Sequence, residues 1–227
     1  LGLNGLGACA TQYSSEYMDV YSYDGTYERS IHFKKGEPVS ELEIRELAKS
    51  EKRTGTVIRW KPDLDVFTDI SIPSEFFIET MRRQSVVNAG ISFVLRVETG
   101  KGKFEEEKYL YENGIADYIV EISGGTSLTE PVQWHLETKG RDREDMPDYK
   151  LKAEITFCFA KSGMTEYYHN SSFLEHGGAP EKAFRNAFVY QVDNYLKSNG
   201  KYVKSDAKIN YQDVEDCLIF VVSSFST

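Results

Sequence analysis

The residues best suited to chemistry stand at the start of the chain. Leu1-Gly2-Leu3-Asn4-Gly5-Leu6-Gly7 spaces three glycines among leucines and an asparagine, and Ala8-Cys9-Ala10-Thr11-Gln12-Tyr13 follows. Glycine reaches backbone conformations closed to other residues and lets a ligand approach the main chain. The small residues behind it open a helix. A glycine loop feeding a helix N-terminus presents free N–H groups at the positive end of the helix dipole, an arrangement that takes phosphate. The N–H groups from Leu3 to Gly7 are therefore candidate phosphate donors, converging without side-chain bulk. The competing reading is a plain turn. The spacing is not that of a dinucleotide fold.

The remaining reactive side chains give less. Cys9, Cys158 and Cys217 are widely spaced, with no CxxC, and read as buried reduced thiols of a cytoplasmic protein. His32, His135, His169 and His176 show no metal-ligand spacing. Glu105-Glu106-Glu107, and Asp142 with Glu144, read as solvated charge. No catalytic and no metal-binding residue is assigned. A net charge of −9 over 227 residues and a pI near 5.1 argue against a nucleic-acid surface covering the molecule, though not against a local basic groove. Lys150, Lys152, Arg185, Lys201 and Lys204 are candidates for one, and exposed solubilising charge is the plainer reading. No apolar run spans a bilayer and no signal peptide is visible, so no membrane is expected as a partner.

Turn and periodicity signals place these residues on elements. Gly7 to Tyr17 reads as a helix. Met18 to Tyr23 and Tyr27 to Lys34 form a hairpin about Asp24-Gly25. Glu41 to Arg53 reads as an irregular or partly helical connection. Thr54-Gly55-Thr56 leads into a short strand halted by Pro62. Pro73 starts a helix to about Val87, Ile91 to Val97 is a strand, and Lys103 to Tyr111 is a charged continuation. A helix over Gly114 to Ile122 and a strand over Val132 to Glu137 follow. Lys139 to Pro147 is a charged loop. Tyr149 to Phe159 is a long strand, and after Lys161-Ser162-Gly163 the segment Thr165 to His169 runs back. Pro180 opens the strongest helix, with Phe184, Ala187, Phe188, Val192, Tyr195 and Leu196 in one stripe. Asp213 to Asp216 opens a short helix, and Cys217 to Val222 is a buried central strand. The result is an α+β chain of two modules, with a boundary near residue 105.

Six of these segments, in order, resemble the B subunit of bacterial type IIA topoisomerases, the gyrase and topoisomerase IV family. They are Gly2 to Gly7; Thr54-Gly55-Thr56 with Trp60-Lys61-Pro62-Asp63 and Phe67; Met81-Arg82-Arg83 with Asn88-Ala89-Gly90-Ile91; Tyr111-Glu112-Asn113-Gly114-Ile115; Asn170 with Gly177-Gly178 and Phe184-Arg185; and Asp213-Val214 with Leu218. The resemblance implies the C-terminal part of a GHKL-type ATPase domain over residues 1–104. It implies most of a transducer domain, with a ribosomal-protein-like left-handed βαβ fold, over 105–227. It implies ATP and Mg2+ as cofactors of a longer parent that dimerises through its ATPase region, works with a topoisomerase A subunit in the cytoplasm, and passes one DNA duplex through another. Gly2, Leu3, Asn4, Gly5, Leu6 and Gly7 would then bind phosphate, and Thr56 would contact the adenine side through water. The bland reading of Thr56 is a strand threonine.

Asn4 stands where the family motif has histidine, Tyr23 where gyrases carry an arginine associated with aminocoumarin inhibitors, Ala179-Pro180 in place of Thr-His, Glu215 in place of Arg, and Cys217 in place of Gly. These departures resemble a divergent paralogue. The family's general base, its magnesium asparagine and its adenine-reading aspartate lie upstream of the glycine motif, and its γ-phosphate lysine lies beyond Thr227. None can be assigned here, so the chain alone is not expected to hydrolyse ATP. The alternatives are a non-catalytic transducer-like dimerisation or interaction module, or another GHKL relative of the mismatch-repair or chaperone kind.

Overall fold

A computed structural model describes residues 6–141 and 143–227. The chain forms two compact units, one running to Pro73 and the other from Ser74 to Thr227.

In the first unit α1 (Leu6–Tyr13) leads into an antiparallel sheet of β1 (Ser15–Asp24), β2 (Tyr27–Lys34), β3 (Glu37–Pro38), β4 (Glu43–Glu46) and β5 (Thr54–Pro62). The strand order is β3-β2-β1-β5, with β4 also on β2. α1 is shorter than the expected Gly7–Tyr17 helix, because the chain has already entered β1 at Ser15. The Ser15 and Tyr17 backbones pair with Pro62 and Lys61, and alternation from Ser15 onward serves the sheet. The stretch expected to be irregular or helical instead supplies β4 and a 3-10 turn, Lys49–Glu51. Arg45 on β4 is tied to Glu28 of β2 at 3.1 Å and to Glu51 at 2.8 Å, so its charges bind it to the sheet edge.

The second unit carries α2 (Ser74–Val87), the hairpin β6 (Phe93–Gly100) and β7 (Lys103–Tyr109), and α3 (Ile115–Ser123). Then come β8 (Val132–Gly140), β9 (Tyr149–Phe159), β10 (Met164–His169), β11 (Ser172–Phe173), α4 (Ala179–Ser198), α5 (Gln212–Glu215) and β12 (Leu218–Ser226). Lys103 to Tyr109, expected as a charged continuation, is a strand whose register runs from Phe93↔Tyr109 to Gly100↔Lys103.

The main sheet has the order β11-β10-β12-β9-β8. Thr165–His169 does run back against β9, but it does not pair with it. β12 lies between them, antiparallel to β9 and parallel to β10. The physical reason is in β12 itself, where Leu218 to Val222 are all apolar and at most 5% exposed. A strand apolar on both faces belongs in the middle of a covered sheet. Ile219 and Val221 face Ile115, Tyr118 and Ile119 of α3 together with Val86 of α2. Leu218, Phe220 and Val222 face Phe184 and Phe188 of α4 and Val214 of α5. Phe184 and Phe220 stack with ring centroids 3.4 Å apart. The α4 stripe is narrower than expected: Ala187 is exposed and Tyr195 is 62% exposed. Its buried side chain is Asp193, which accepts hydrogen bonds from Lys197 and from the Tyr202 hydroxyl.

Candidate functional site

Gly2, Leu3, Asn4 and Gly5 lie outside the described residues. Leu6 and Gly7, the remaining members of the glycine stretch, open α1. Leu6 is 68% exposed, nothing lies within 4 Å of where a Gly7 side chain would begin, and the first turn holds no acidic residue. Among the described residues, the first turn of this helix thus carries no acidic side chain and no side-chain cover over Gly7, which suits an anion at its positive end.

The other end of α1 is clamped. Gln12 Nε2 donates to the Gly36 carbonyl at 2.7 Å. The Tyr13 ring lies over Gly36, where a Cβ would fall 2.1 Å from it, and Gly36 has a φ of +85°. The Ser14 carbonyl accepts from the Asp63 N–H at 3.0 Å. The buried Asp63 then turns the chain, its carbonyl accepting from the Phe67 N–H at 2.9 Å and its side chain from the Asp65 N–H at 2.9 Å. The Pro62-Asp63 element of the sequence motif is thus a structural anchor for α1. Cys9, expected to be buried, is exposed, because α1 buries none of its residues.

Thr56 lies on the edge strand β5, exposed, opposite Ser22. Alternation puts it on the same sheet face as Ile58, Trp60, Val20, Met18, Ile31 and Phe33. Ile58 is 53% and Trp60 42% exposed, so this face offers an apolar wall with one hydroxyl at its end. Thr56 is six strand positions from Pro62, which pairs with Ser15 beside α1, or about 20 Å. Thr56 and the chain leaving α1 at Ser15 are therefore on one sheet, at opposite ends of β5.

The opposite face of this sheet is a closed polar network. His32 Nδ1 meets Asp19 at 2.8 Å, and Lys61 pairs with Glu16. On the Thr56 face, at the hairpin end, Asp24 caps its own turn through the N–H groups of Tyr27 and Thr26, and binds Arg29, which stands opposite Ser22. These donors, Tyr27 first, hold the Asp24 carboxyl far below the usual range. Tyr23 is 8% exposed, and the Arg53 guanidinium lies over its ring at 3.8 Å. A cation thus stands beside Tyr23, supplied from the approach to β5. Arg53 also lines a cleft of about 330 Å³ with Arg45, Leu47, Ser50, Glu51 and Lys52.

In the second unit the sequence missed a polar cluster. Glu166 accepts from the Tyr118 hydroxyl at 3.0 Å and the Tyr168 hydroxyl at 2.7 Å. Arg82 lies over the Tyr118 ring at 5.3 Å and pairs with Glu121 at 2.9 Å. Burial, then the Glu166 charge, pushes both phenols well above the ordinary tyrosine value. The period of two along β10 puts Glu166 beside Tyr168, but no linear spacing brings Tyr118 to them. A cleft of about 450 Å³ opens beside Arg82, lined also by Ile78, Lys108, Tyr109, Leu110, Tyr111 and Glu121.

Asn170 has φ +49° and its side-chain oxygen accepts from the Ser226 N–H at 3.0 Å, satisfying a loop. Of the candidate basic-groove residues, Lys152 is bound to Glu137 and Arg185 to Glu181 and Glu215. Lys150, Lys201 and Lys204 are exposed with no ion pair among the described residues. No group of three or more His, Cys, Asp or Glu among the described residues is arranged to hold a metal ion.

Comparison with known proteins agrees over the whole chain. The DNA gyrase B protein of Chlamydia muridarum is 25% identical over 223 residues, covering 98% of this chain and 27% of that protein. The Staphylococcus aureus protein of the same name is 26% identical over 226 residues, covering 98% and 33%. The chain thus spans about a quarter to a third of the curated relatives' length. Among solved structures, the 43K ATPase domain of Thermus thermophilus gyrase B, in complex with an aminocoumarin, superposes with a TM-score of 0.69 at 23% identity. That match covers 99% of this chain and 58% of that one. The topoisomerase IV ATP-binding domain of Francisella tularensis, in complex with a small-molecule inhibitor, gives 0.67 at 20% identity, covering 98% and 57%. The family model for DNA gyrase B matches residues 114–227, the part built on the β12-centred sheet. With half of the chain matched by that model and its α+β fold shared with gyrase B ATPase structures, the chain belongs to the DNA gyrase B family.

Proposed function

We propose that this chain is the lid-to-transducer part of an ATP-driven B subunit of a type IIA DNA topoisomerase. The observation that carries the reading is α1, opened by Leu6 and Gly7 of the glycine segment and clamped at its far end by Gln12 and Tyr13. Bound ATP would supply the phosphoanhydride whose hydrolysis drives the parent. Backbone N–H groups of Gly2 to Gly7 hold its phosphate oxygens, and Thr56 meets the adenine side through water. The apolar wall of Ile58 and Val20 lies between. The span of about 20 Å along β5 from Thr56 to Pro62 leaves room for a ligand lying extended along the sheet. Arg53 over the Tyr23 ring, on the other face of the sheet, supplies a cation beside the position where related gyrases carry an arginine.

In this reading residues to about 104 complete a GHKL-type ATPase domain and those from about 105 form a transducer. The parallel pair β10–β12, joined through α4, would be the βαβ unit that the family's left-handed fold calls for. The parent would act in the cytoplasm as a dimer of B subunits with an A subunit on duplex DNA. The chain by itself binds nucleotide weakly and does not turn it over.

The test is an amide-resolved NMR titration of the chain with a non-hydrolysable ATP analogue, with a phosphate-release assay beside it. Shifts confined to the opening of α1 and the neighbourhood of Thr56, with no release above buffer, support the reading. Shifts that avoid both places overturn the nucleotide reading in favour of a non-catalytic interaction module. Turnover that survives Gly7→Val overturns the assignment of the glycine segment.

A further inference from the structure

The two edges of the β12-centred sheet are unlike each other. One edge is β11, two residues long; the other is β8, nine residues long. Very short edge strands, prolines, bulges and clustered lysines are the usual protections of an edge. β8 has none of these along Val132 to Thr138. Its register with β9 is unbroken from Val132↔Phe157 to Gly140↔Tyr149. Every residue from Val132 to Lys139 is exposed. Alternation places Val132, Trp134 and Leu136 on the sheet face that carries Phe157 and Ile155, where Phe188 of α4 packs. α4 does not cover these three, which remain 40%, 55% and 48% exposed. β8 thus offers an open row of main-chain hydrogen-bonding groups beside an apolar stripe.

We propose that β8 pairs antiparallel with β8 of a second copy of this chain, joining two five-stranded sheets into one about a two-fold axis at Leu136. The sequence of the strand is self-complementary in this register. His135 comes opposite Glu137 of the second copy, Gln133 opposite Lys139, Trp134 opposite Thr138, and Leu136 opposite itself. Shifting the axis to His135 sets His135 against His135. Shifting it to Glu137 sets Glu137 against Glu137 and His135 against Lys139. The Glu137 axis opposes like charges, which is unfavourable, and the His135 axis sets Glu137 against Gln133, whose Nε2 already donates to Glu154 at 2.9 Å, so the Leu136 register, with the His135 ring against Glu137, is favoured. The two-fold also keeps the apolar stripe on one face, where Trp134 and Leu136 of each copy form a continuous band. One strand pair falls at the small end of specific interfaces, so the association is weak and visible at high concentration. It needs no nucleotide and uses no residue of the glycine segment or of the Thr56 face.

The experiment is sedimentation equilibrium of the full 227-residue chain without nucleotide, across the micromolar range, with near-ultraviolet circular dichroism confirming the fold of each variant. The expected result is a mass rising toward that of a dimer. Glu137→Lys should weaken association about tenfold, because the axis counts the pair twice. His135→Glu added to Glu137→Lys should restore it, and Leu136→Lys should abolish it. A chain that stays monomeric throughout overturns the proposal. So does association that persists unchanged in Leu136→Lys, or a double variant no better than Glu137→Lys alone.

Discussion

Gly163 shows how much one missing side chain can matter. It stands between β9 and β10, and a Cβ there would come within 1.7 Å of the Glu215 carbonyl oxygen at the end of α5. Backbone cannot swing aside as a side-chain tip can. Gly163→Ala should therefore destabilise the second unit by about 1–3 kcal/mol in urea unfolding. Asp24 makes a different residue-scale prediction. Its depressed pKa means the folded chain favours the carboxylate, so its stabilisation is present above the unfolded value of about 4 and is lost as pH falls toward the folded value. The urea midpoints of the chain and of Asp24→Asn should be separated near neutral pH and converge in acid. A separation independent of pH would show that the turn is held by the acceptor geometry alone.

At the scale of elements, β12 decides the second unit. Phe220 is fully buried, stacked on Phe184 and packed with Tyr167 and Leu218. Phe220→Ala should cost about 3–5 kcal/mol, the range for a buried aromatic whose cavity cannot collapse. α4 is held at its far end by a polar chain. Asp193 accepts from the Tyr202 hydroxyl at 2.8 Å, which in turn accepts from the Ile209 N–H at 3.1 Å. Asp193→Ala should release the segment between α4 and α5, so that limited proteolysis cuts near Lys204 and Lys208 while the β12 core stays protected. The charged stretches behave likewise. Glu41 to Arg53 reads in sequence as an irregular or partly helical connection and Lys103 to Tyr111 as a charged continuation, yet each supplies a strand, since an exposed strand can carry charge on both faces when its main chain is paired.

For the whole molecule, the sequence by itself determined the family, the run of strands and helices, the buried strand at Leu218 to Val222, and the glycine segment before a helix. These features are local: turn residues, caps and hydrophobic period are fixed by neighbours within a few positions. Local signals also placed Thr56 on a strand and gave Asn170 a loop-satisfying role. Only the tertiary structure decided that β12 separates β9 from β10, because pairing partners are chosen by which strand must be dry on both faces. Only it showed that α1 ends at Tyr13 and is clamped on Gly36, that Cys9 is exposed, and that Arg53 lies over Tyr23. Glu166 meeting Tyr118, 48 residues away, and β8 left open beside its apolar stripe, likewise depend on residues far apart in the chain. Such contacts form when packed layers bring distant side chains together, and no spacing along the sequence encodes them.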